Sequence, residues 1–599
     1  MAALGCHKAP FGFLLRNPHI SHQRSFSLLR LRLPKSAPAC QRFQLRCQHS
    51  NGAPASSNGS GETYTVTTPL YYVNAGPHMG SAYPTIAADA AARFQRLQGK
   101  EVRFVTGTDE HGEKIAEAAK ARGMQPQEHC DSVVEEYKSL WTQLDISYDS
   151  FIRTTDKRHE VLVEQLLQRV WDKGDIYKAK YEGWYCVGCE EYKQDDEIDA
   201  QHKCPVHRKP CIHREEENFF FRLSSYQQQL ETLLKDNPQF VYPASRRNEV
   251  LGWVQGGVRD FSISRAATAW GIKFPQDPKQ TVYVWFDALN GYLSGLLPEG
   301  LLPDGVEPTA DNLKQHGWPG NHIIGKDILR FHAVYWPGML MSCGLPLPQR
   351  VWGHGFITKD GLKMGKSLGN ILDPVALVAA YGADAVRFFF LKEVDFGQDG
   401  DFSEKRFRDI VNAALANDIG NLLNRTLNLL KKNCGSVMPA DSSQVPDNSP
   451  VRHTAQQQVE LVAAQYEQLS FGKAIDAIQK VSARGNLFLQ EREPWAAFKK
   501  GSPEEKEQAS FVLLEVLEAA RVVAVMLTPV APALARLVYL QLGFSDQGFE
   551  TLTWADAQWG GLRKGQQTAS PKPVFARLEG DYVTAQPDAA LAGTAVVKA

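Results

Sequence analysis

The hydrophobic pattern begins abruptly at residue 63. TYTVTTPLYYV (63–73) is a continuous run of β-branched and aromatic residues, which predicts a strand buried on both faces. Asn74-Ala75-Gly76-Pro77 predicts a turn. MGSAYPTIAADAAARFQRLQG (79–99) is alanine-rich with helical spacing, and EVRFVTGTDE (101–110) predicts a second strand. Strand, glycine-bearing turn, helix and strand open a parallel α/β sheet of the nucleotide-binding kind. Later strands are expected at TVYVWFDA (281–288) and NHIIGKD (321–327). Between these halves lies a Cys/His-rich insertion, roughly 176–248. From about 406 the period becomes 3.6, in segments 407–432, 453–469 and 510–543, which predicts a helical bundle. The expected fold class is therefore α/β: a Rossmann-like parallel-sheet domain carrying an insertion, followed by an all-α domain.

A chain of 599 residues with 43% hydrophobic and 22% charged residues is expected to form several globular domains. No run approaches the ~18–20 apolar residues of a membrane span, so no membrane partner is expected. The net charge of −1 means that a polyanionic partner has to be met by local basic patches. Residues 1–61 hold no Asp or Glu but include Arg16, Arg24, Arg30, Arg32, Lys35, Arg42 and Arg46 among serines. That is the composition of a mitochondrial or chloroplast transit peptide. A disordered basic tail with no address has the same composition. Beyond about 580 an Ala/Gly/Thr-rich tail is expected.

Four of the ten cysteines lie between 186 and 211. Cys186-x2-Cys189 and Cys204-x2-His207 form two tight pairs, which match a tetrahedral zinc site. Four protein ligands leave no open position, so the zinc would be structural. Cys211 and His213 are spare candidates. Two further motifs suggest phosphate chemistry. Pro77-His78-Met79-Gly80-Ser81 sits at the strand-to-helix turn, where free N–H groups and the helix dipole favour a phosphate. Lys363-Met364-Gly365-Lys366-Ser367 sets two lysines and a hydroxyl in a glycine-flanked loop suited to a triphosphate. Each alone is equally a surface histidine or a solvated basic loop.

Together they resemble the "HIGH" and "KMSKS" signatures of class I aminoacyl-tRNA synthetases. TTPLYYVNAGPHMG, VTGTDEHGEKI, YEGWYC, EEENFFFRLS, YVWFDALNGY, GKDILRFH and FGQDGDFS resemble the methionine-specific family, over about 63–578. The resemblance implies ATP-dependent ligation of L-methionine to tRNA(Met), initiator and elongator, through a methionyl-adenylate, with Mg²⁺ accompanying ATP. It implies His78, Lys363 and Lys366 as catalytic residues. ATP would be held by Asn74, His78, Gly80, Ser81, Gly325, Asp327, Ile357, Lys363, Lys366 and Ser367. Asp109 would pair with the methionine ammonium, and Leu70, Tyr72, Trp285, Ala288, Tyr292, Ile328 and His332 would surround its side chain. Read without the family, Trp285 and Tyr292 are as well explained as core aromatics. Asn421, Arg425 and Trp495 would read a CAU anticodon, Asn421 and Arg425 sharing a helix face. A helix-packing Asn421 and a core Trp495 are the alternatives. Ser81 and Gly365 depart from the signatures, which carry His and Ser there.

The implied organisation is a disordered transit peptide (1–61), catalytic domain (62–175 and 249–345), zinc-bearing insertion (176–248), lysine-loop and stem-contact region (346–405), helical anticodon-binding domain (406–580) and tail (581–599). A monomer in chloroplast, mitochondrion or both is expected. An insertion of some seventy residues is too small for the editing domain of the Ile, Val or Leu enzymes, and a closed zinc shell does not suit a cysteine-activating one. A small nucleotidylyltransferase would not need the appended helices. A catalytically dead tRNA-binding protein would not need Asp109, Asp327 and both lysines.

Overall fold

The computed structural model describes residues 61–580, apart from 188–190, 194, 206–207, 267–269, 299–307 and 365–369. The basic leader to residue 60 and the tail 581–599 lie outside the described residues, as do Cys189, His207, Gly365, Lys366 and Ser367.

Six parallel strands form the central sheet, in the order β3 (Ser150–Arg153), β2 (Glu101–Asp109), β1 (Thr63–Tyr72), β11 (Asn321–Gly325), β12 (Arg350–His354), β7 (Val241–Tyr242). The chain lays β2 and β3 to one side of β1 and later returns to build β11 and β12 on the other. Strand order thus reverses between β1 and β11, and the crevice at their C-terminal ends is where such sheets bind ligands. The expected strand at 281–288 is mostly helix. Thr281–Val282 (β10) pairs with Ser264–Arg265 (β9), and Val284–Ala288 turns into a helix. A buried apolar run that short has no period to tell the two apart.

Alanines let helix Met79–Leu97 lie close to the sheet, with Ala82, Ala87, Ala88, Ala90, Ala91 and Ala92 all buried. In their midst is a fully buried carboxylate, Asp89. It pairs with Arg93 (2.7 Å) and with Arg387 (2.6 Å), which is itself fully buried. Arg387, on helix Ala383–Glu393, also donates to the carbonyls of Pro529 (2.9 Å), Val530 (3.0 Å) and Leu144 (3.2 Å). One guanidinium therefore joins the first catalytic helix to the end of helix Pro503–Leu527 in the C-terminal bundle.

The insertion is an antiparallel sheet in the order β5 (Glu191–Lys193), β4 (Ile176–Cys186), β6 (Ile212–Phe221), β8 (Phe261–Ser262). Its strands cross the limit drawn at 248. β7, from within 176–248, belongs to the parallel sheet, and β8, from beyond 248, belongs to the insertion. Both are two-residue strands, too short to carry a hydrophobic period. A small third sheet places β13 (Ile357–Lys359) between β14 (Leu362–Lys363) and β15 (Gly400–Phe402). The C-terminal helices Asn421–Cys434, Pro450–Glu467, Phe471–Arg492 and Pro503–Leu527 pack around a common apolar core. Among the described residues no single helix is long and apolar enough to cross a membrane.

Candidate active site and anticodon surface

His78 is the N-cap of helix Met79–Leu97. Its Nδ1 accepts the Gly80 N–H (3.0 Å), so in the neutral ring Nε2 carries the proton. Gly80 is required by this arrangement, since a Cβ there would come within 2.8 Å of the His78 ring. Ser81, nearly buried, donates to the His78 carbonyl (2.7 Å) and accepts its N–H (3.1 Å). The residue that departs from the signature thus closes the capping box, and its hydroxyl is committed to the His78 backbone. Asn74 is exposed on the turn just before it.

The described residues flanking the lysine motif meet this turn. The Met79 N–H donates to the carbonyl of Leu372 (3.4 Å), and the Leu372 N–H donates to Sδ of Met364 (3.4 Å). Lys363 ends β14, with its side chain outside the description; Lys366 and Ser367 lie in the undescribed stretch between these anchors. Asp327 follows the C-terminal end of β11 and folds over Gly325, where a Cβ would lie 2.3 Å from its Oδ1. Ile357 is buried at the start of β13.

The proposed methionine residues converge in the same crevice. Tyr72 pairs with Asp109 across β1 and β2, so a buried carboxylate stands beside an aromatic ring at the strand ends. Leu70 packs against Gly291, where a Cβ would come within 2.3 Å of it, which brings Leu70 next to Tyr292. Tyr292 OH lies 2.6 Å from His332 Nε2, and His332 Nδ1 lies 2.9 Å from the Ile328 carbonyl. A carbonyl only accepts, so Nδ1 carries the proton, Nε2 accepts, and Tyr292 donates. Burial lowers the His332 pKa to about 4, which keeps the ring neutral. Trp285 is half-buried and stacks on Phe331 at 3.8 Å, with His332 6.2 Å away and Ala288 buried one helical turn on.

Two buried charged groups here carry no role in the sequence reading. Asp287 is held between His111 Nδ1 (2.6 Å) and His159 Nε2 (2.6 Å). Burial opposes its charge, but the two rings outweigh it and hold the pKa near 2. This clamp links the loop after Asp109 to the helix bearing Trp285. Arg265 is buried over the Tyr283 ring (3.9 Å) and donates to Ser262 Oγ (2.9 Å). DEH and WFDA are visible motifs, but 176 residues separate His111 from Asp287, and no local pattern pairs them.

In the insertion, Cys186, Cys204 and Cys211 are buried together. Cys211, set aside in the sequence reading as spare, belongs to this cluster, and burial pushes its pKa up to about 11. With Cys189 and His207 undescribed, the four-ligand set is not seen whole. Thiolates are suitable zinc donors, but among the described residues no three His, Cys, Asp or Glu side chains are placed to hold a metal ion.

In the bundle, Asn421 opens helix Asn421–Cys434 and lines a cavity of about 310 Å³ with Asn417, Asn424 and Phe575. Arg425, one turn on and exposed, lies 6.0 Å from the ring of Trp495. Glu493 has φ 40°, a left-handed kink between helices Phe471–Arg492 and Pro494–Lys500 that sets Trp495 outward. Trp495 is 37% exposed, which is not the burial of a core plug.

The family model of class I tRNA synthetases (M) matches residues 64–210 and 200–427, and that of the anticodon binding domain of methionyl tRNA ligase matches 438–594. The chain is 52% identical to the chloroplastic/mitochondrial methionine–tRNA ligase of Arabidopsis thaliana, covering 95% of this chain and 92% of that one. It is 51% identical to the methionine–tRNA ligase of Thermosynechococcus vestitus, over 86% of this chain and 97% of that one. Among solved structures, the Mycobacterium tuberculosis methionyl-tRNA synthetase in complex with methionyl-adenylate superposes with a TM-score of 0.81 at 38% identity, over 86% of this chain and all of that one. With both family models matched along the chain and a parallel-sheet domain followed by a helical one, the chain belongs to the methionyl-tRNA synthetases of class I.

Proposed function

We propose that the chain joins L-methionine to ATP as methionyl-adenylate and passes the methionyl group to tRNA(Met), initiator and elongator alike, in chloroplast or mitochondrion. The observation that carries the catalytic reading is the Met79–Leu372 backbone bond, which brings the His78 turn to the segment following the lysine motif. In the first step a methionine carboxylate oxygen attacks the α-phosphorus and pyrophosphate leaves. In the second the 3′-terminal hydroxyl of tRNA attacks the carbonyl carbon and AMP leaves. Neither needs a protein nucleophile; both need alignment and charge neutralisation.

Asp109 would hold the ammonium, with Leu70, Tyr72, Trp285, Ala288, Tyr292, Ile328 and His332 around the thioether. His78 Nε2–H would donate to charge growing on the phosphate, beside the backbone of Gly80 and Ser81 and close to Asn74. Asp327 beside Gly325 would hold the ribose, and the backbone at Ile357 the adenine. Lys363, Lys366 and Ser367 would draw off the pyrophosphate. Mg²⁺ bound with ATP would supply further positive charge. Methionine-dependent exchange of pyrophosphate into ATP tests this; support of exchange by another amino acid, or by none, overturns it.

Zinc held by Cys186, Cys189, Cys204 and His207 would supply folding free energy to the insertion. Metal analysis is expected to give one zinc per chain, lost in Cys186→Ala and kept in Cys211→Ser. No zinc in the purified protein, or retention in Cys186→Ala, overturns that ligand set. Asn421, Arg425 and Trp495 would bind the anticodon. The protein would act as a monomer, which sedimentation checks. A chain starting near Glu62 is expected to activate methionine fully, and residues 1–61 fused to a fluorescent reporter are expected to direct it to an organelle.

A further inference from the structure

Three of the stretches that wall the proposed methionine pocket are tied to one carboxylate. Asp287 follows Trp285 by two residues and directly precedes Ala288. It accepts from His111, two residues after Asp109, and from His159 on helix Lys157–Asp172, each at 2.6 Å. A carboxylate only accepts, so His159 carries a proton on Nε2. In the neutral ring Nδ1 then accepts from the hydroxyl of Ser294 (2.8 Å), two residues after Tyr292. The His159 ring also backs onto Gly291, where a Cβ would come within 3.8 Å of its Cε1 and 2.3 Å of Leu70. Asp287, His159 and Ser294 are fully buried, and His111 nearly so.

The loop after Asp109 is held from its other side as well. Glu110, fully buried, takes two hydrogen bonds from Arg153 (2.7 and 2.9 Å), and its carbonyl accepts the Trp270 indole N–H (2.6 Å). Burial alone would lower the His111 pKa, but Asp287 raises it above the ordinary value, with Glu110 and Glu160 adding, which keeps the ring protonated. The Asp287 charge is thus cancelled where it is buried. Such an arrangement adds little stability, since apolar side chains of the same volume would do as well or better. What apolar side chains lack is direction. Bonds from two rings to two different oxygens fix the end of β2 relative to helices Val284–Ala288 and Gly291–Ser294.

We propose that Asp287 is a positioning residue for substrate choice: through His111 and His159 it sets the separation between the Asp109 ammonium site and the wall of Trp285 and Tyr292, and so the length of side chain that the pocket accepts. This rests on the methionine reading of the pocket. A wall fixed only by packing could settle onto a shorter side chain. With both ends referred to one carboxylate, a substrate one atom short leaves a gap that the walls do not close, and the contacts across that gap are lost.

The test measures pyrophosphate exchange with methionine and with norvaline, whose side chain is one heavy atom shorter. It uses Asp287→Ala, Asp287→Asn and Ser294→Ala in the full chain, with thermal unfolding alongside. The ratio of the two kcat/KM values does not depend on how much of a preparation is folded, so it separates positioning from stability. Asp287→Ala is expected to lower kcat/KM for methionine roughly ten- to hundredfold, the cost of a small misplacement. The preference over norvaline should narrow by about tenfold, within the range that one methylene supplies. KM for ATP should stay within about twofold. Asp287→Asn, which keeps one acceptor oxygen, should lie between, and Ser294→Ala should change the preference least. If Asp287→Ala does not fold, the other two variants carry the same comparison. An unchanged preference in folded Asp287 variants, or a KM for ATP that rises with that for methionine, overturns the proposal. Trp285→Ala locates the fault. If it narrows the preference where the Asp287 variants do not, the clamp alone is refuted; if none of them moves it, the methionine reading of the pocket falls too.

Discussion

The proposed methionine pocket and the proposed anticodon surface are built in opposite ways. In the pocket, Tyr292 and His332 are buried and each proton has a fixed destination: Tyr292 to His332, His332 to the Ile328 carbonyl. On the bundle, Trp495 is 37% exposed and Arg425, also exposed, stands 6.0 Å from its ring. A small substrate that must exclude water meets groups oriented in advance. A large polyanion brings its own bases, which need only faces and edges held in reach. Damage in the pocket should therefore be deep and confined to methionine activation; damage on the bundle should be shallow and confined to tRNA.

The largest effect should come from Asp109→Asn, which on the proposed reading would leave the substrate ammonium without its buried counter-charge. Losing one partner of such a pair costs about 3–5 kcal/mol, so kcat/KM for methionine in exchange should fall by roughly two to four orders of magnitude. Retained exchange would remove Asp109 from the pocket.

Acid comes next. His332 titrates near 4 when folded, against about 6.5 in an unfolded chain, so between these values the unfolded state binds more protons. The stability of the buried neutral ring is complete above about pH 6.5 and is lost as pH falls toward 4, by up to ~3 kcal/mol. His322, also driven down by burial, adds to the loss. Denaturant unfolding at pH 7 and 5 measures the slope, and His332→Gln should flatten it. An unchanged slope would mean that the ring is not held neutral.

Trp495→Ala should cost ~1–3 kcal/mol in aminoacylation, about five- to hundredfold in kcat/KM for tRNA, with exchange and melting temperature nearly unchanged. Trp495→Phe keeps a stacking face and should stay within about threefold. If exchange and stability fall with aminoacylation, the residue is packing and the contrast between the two regions fails. The smallest effect is expected from Asn421→Ala, where one base-edge hydrogen bond, ~0.5–1.5 kcal/mol, is lost, about two- to tenfold. An equal loss on tRNAs with altered anticodon bases would show that Asn421 packs the helix instead.

What the sequence disclosed follows from range. The strand at 63–72, the alanine-rich helix and the His78 turn are contiguous, so period and turn chemistry expose them. The Cys/His pairs and the helical bundle are local as well. The proposed methionine pocket is not: Leu70, Asp109, Tyr292 and His332 come from four segments, and only the resemblance to a family assembled them. Asp89 and Arg387, Asp287 and His111, and the Arg265–Tyr283 stack were invisible because a buried charge is explained only by a partner, and most of these partners lie far along the chain. The short strand β7 was lost to the insertion for a related reason, its place being set by β12 more than a hundred residues later.

Arg387 makes the two halves of the chain sense one another. Two of its carbonyl acceptors, Pro529 and Val530, come from the C-terminal bundle, while its carboxylate, Asp89, sits on the helix that His78 caps. With the bundle displaced, the guanidinium would keep Asp89 and the Leu144 carbonyl but lose those two acceptors. A disturbance of the bundle therefore leaves buried N–H groups unsatisfied beside the first catalytic helix, a cost felt on both sides of the junction.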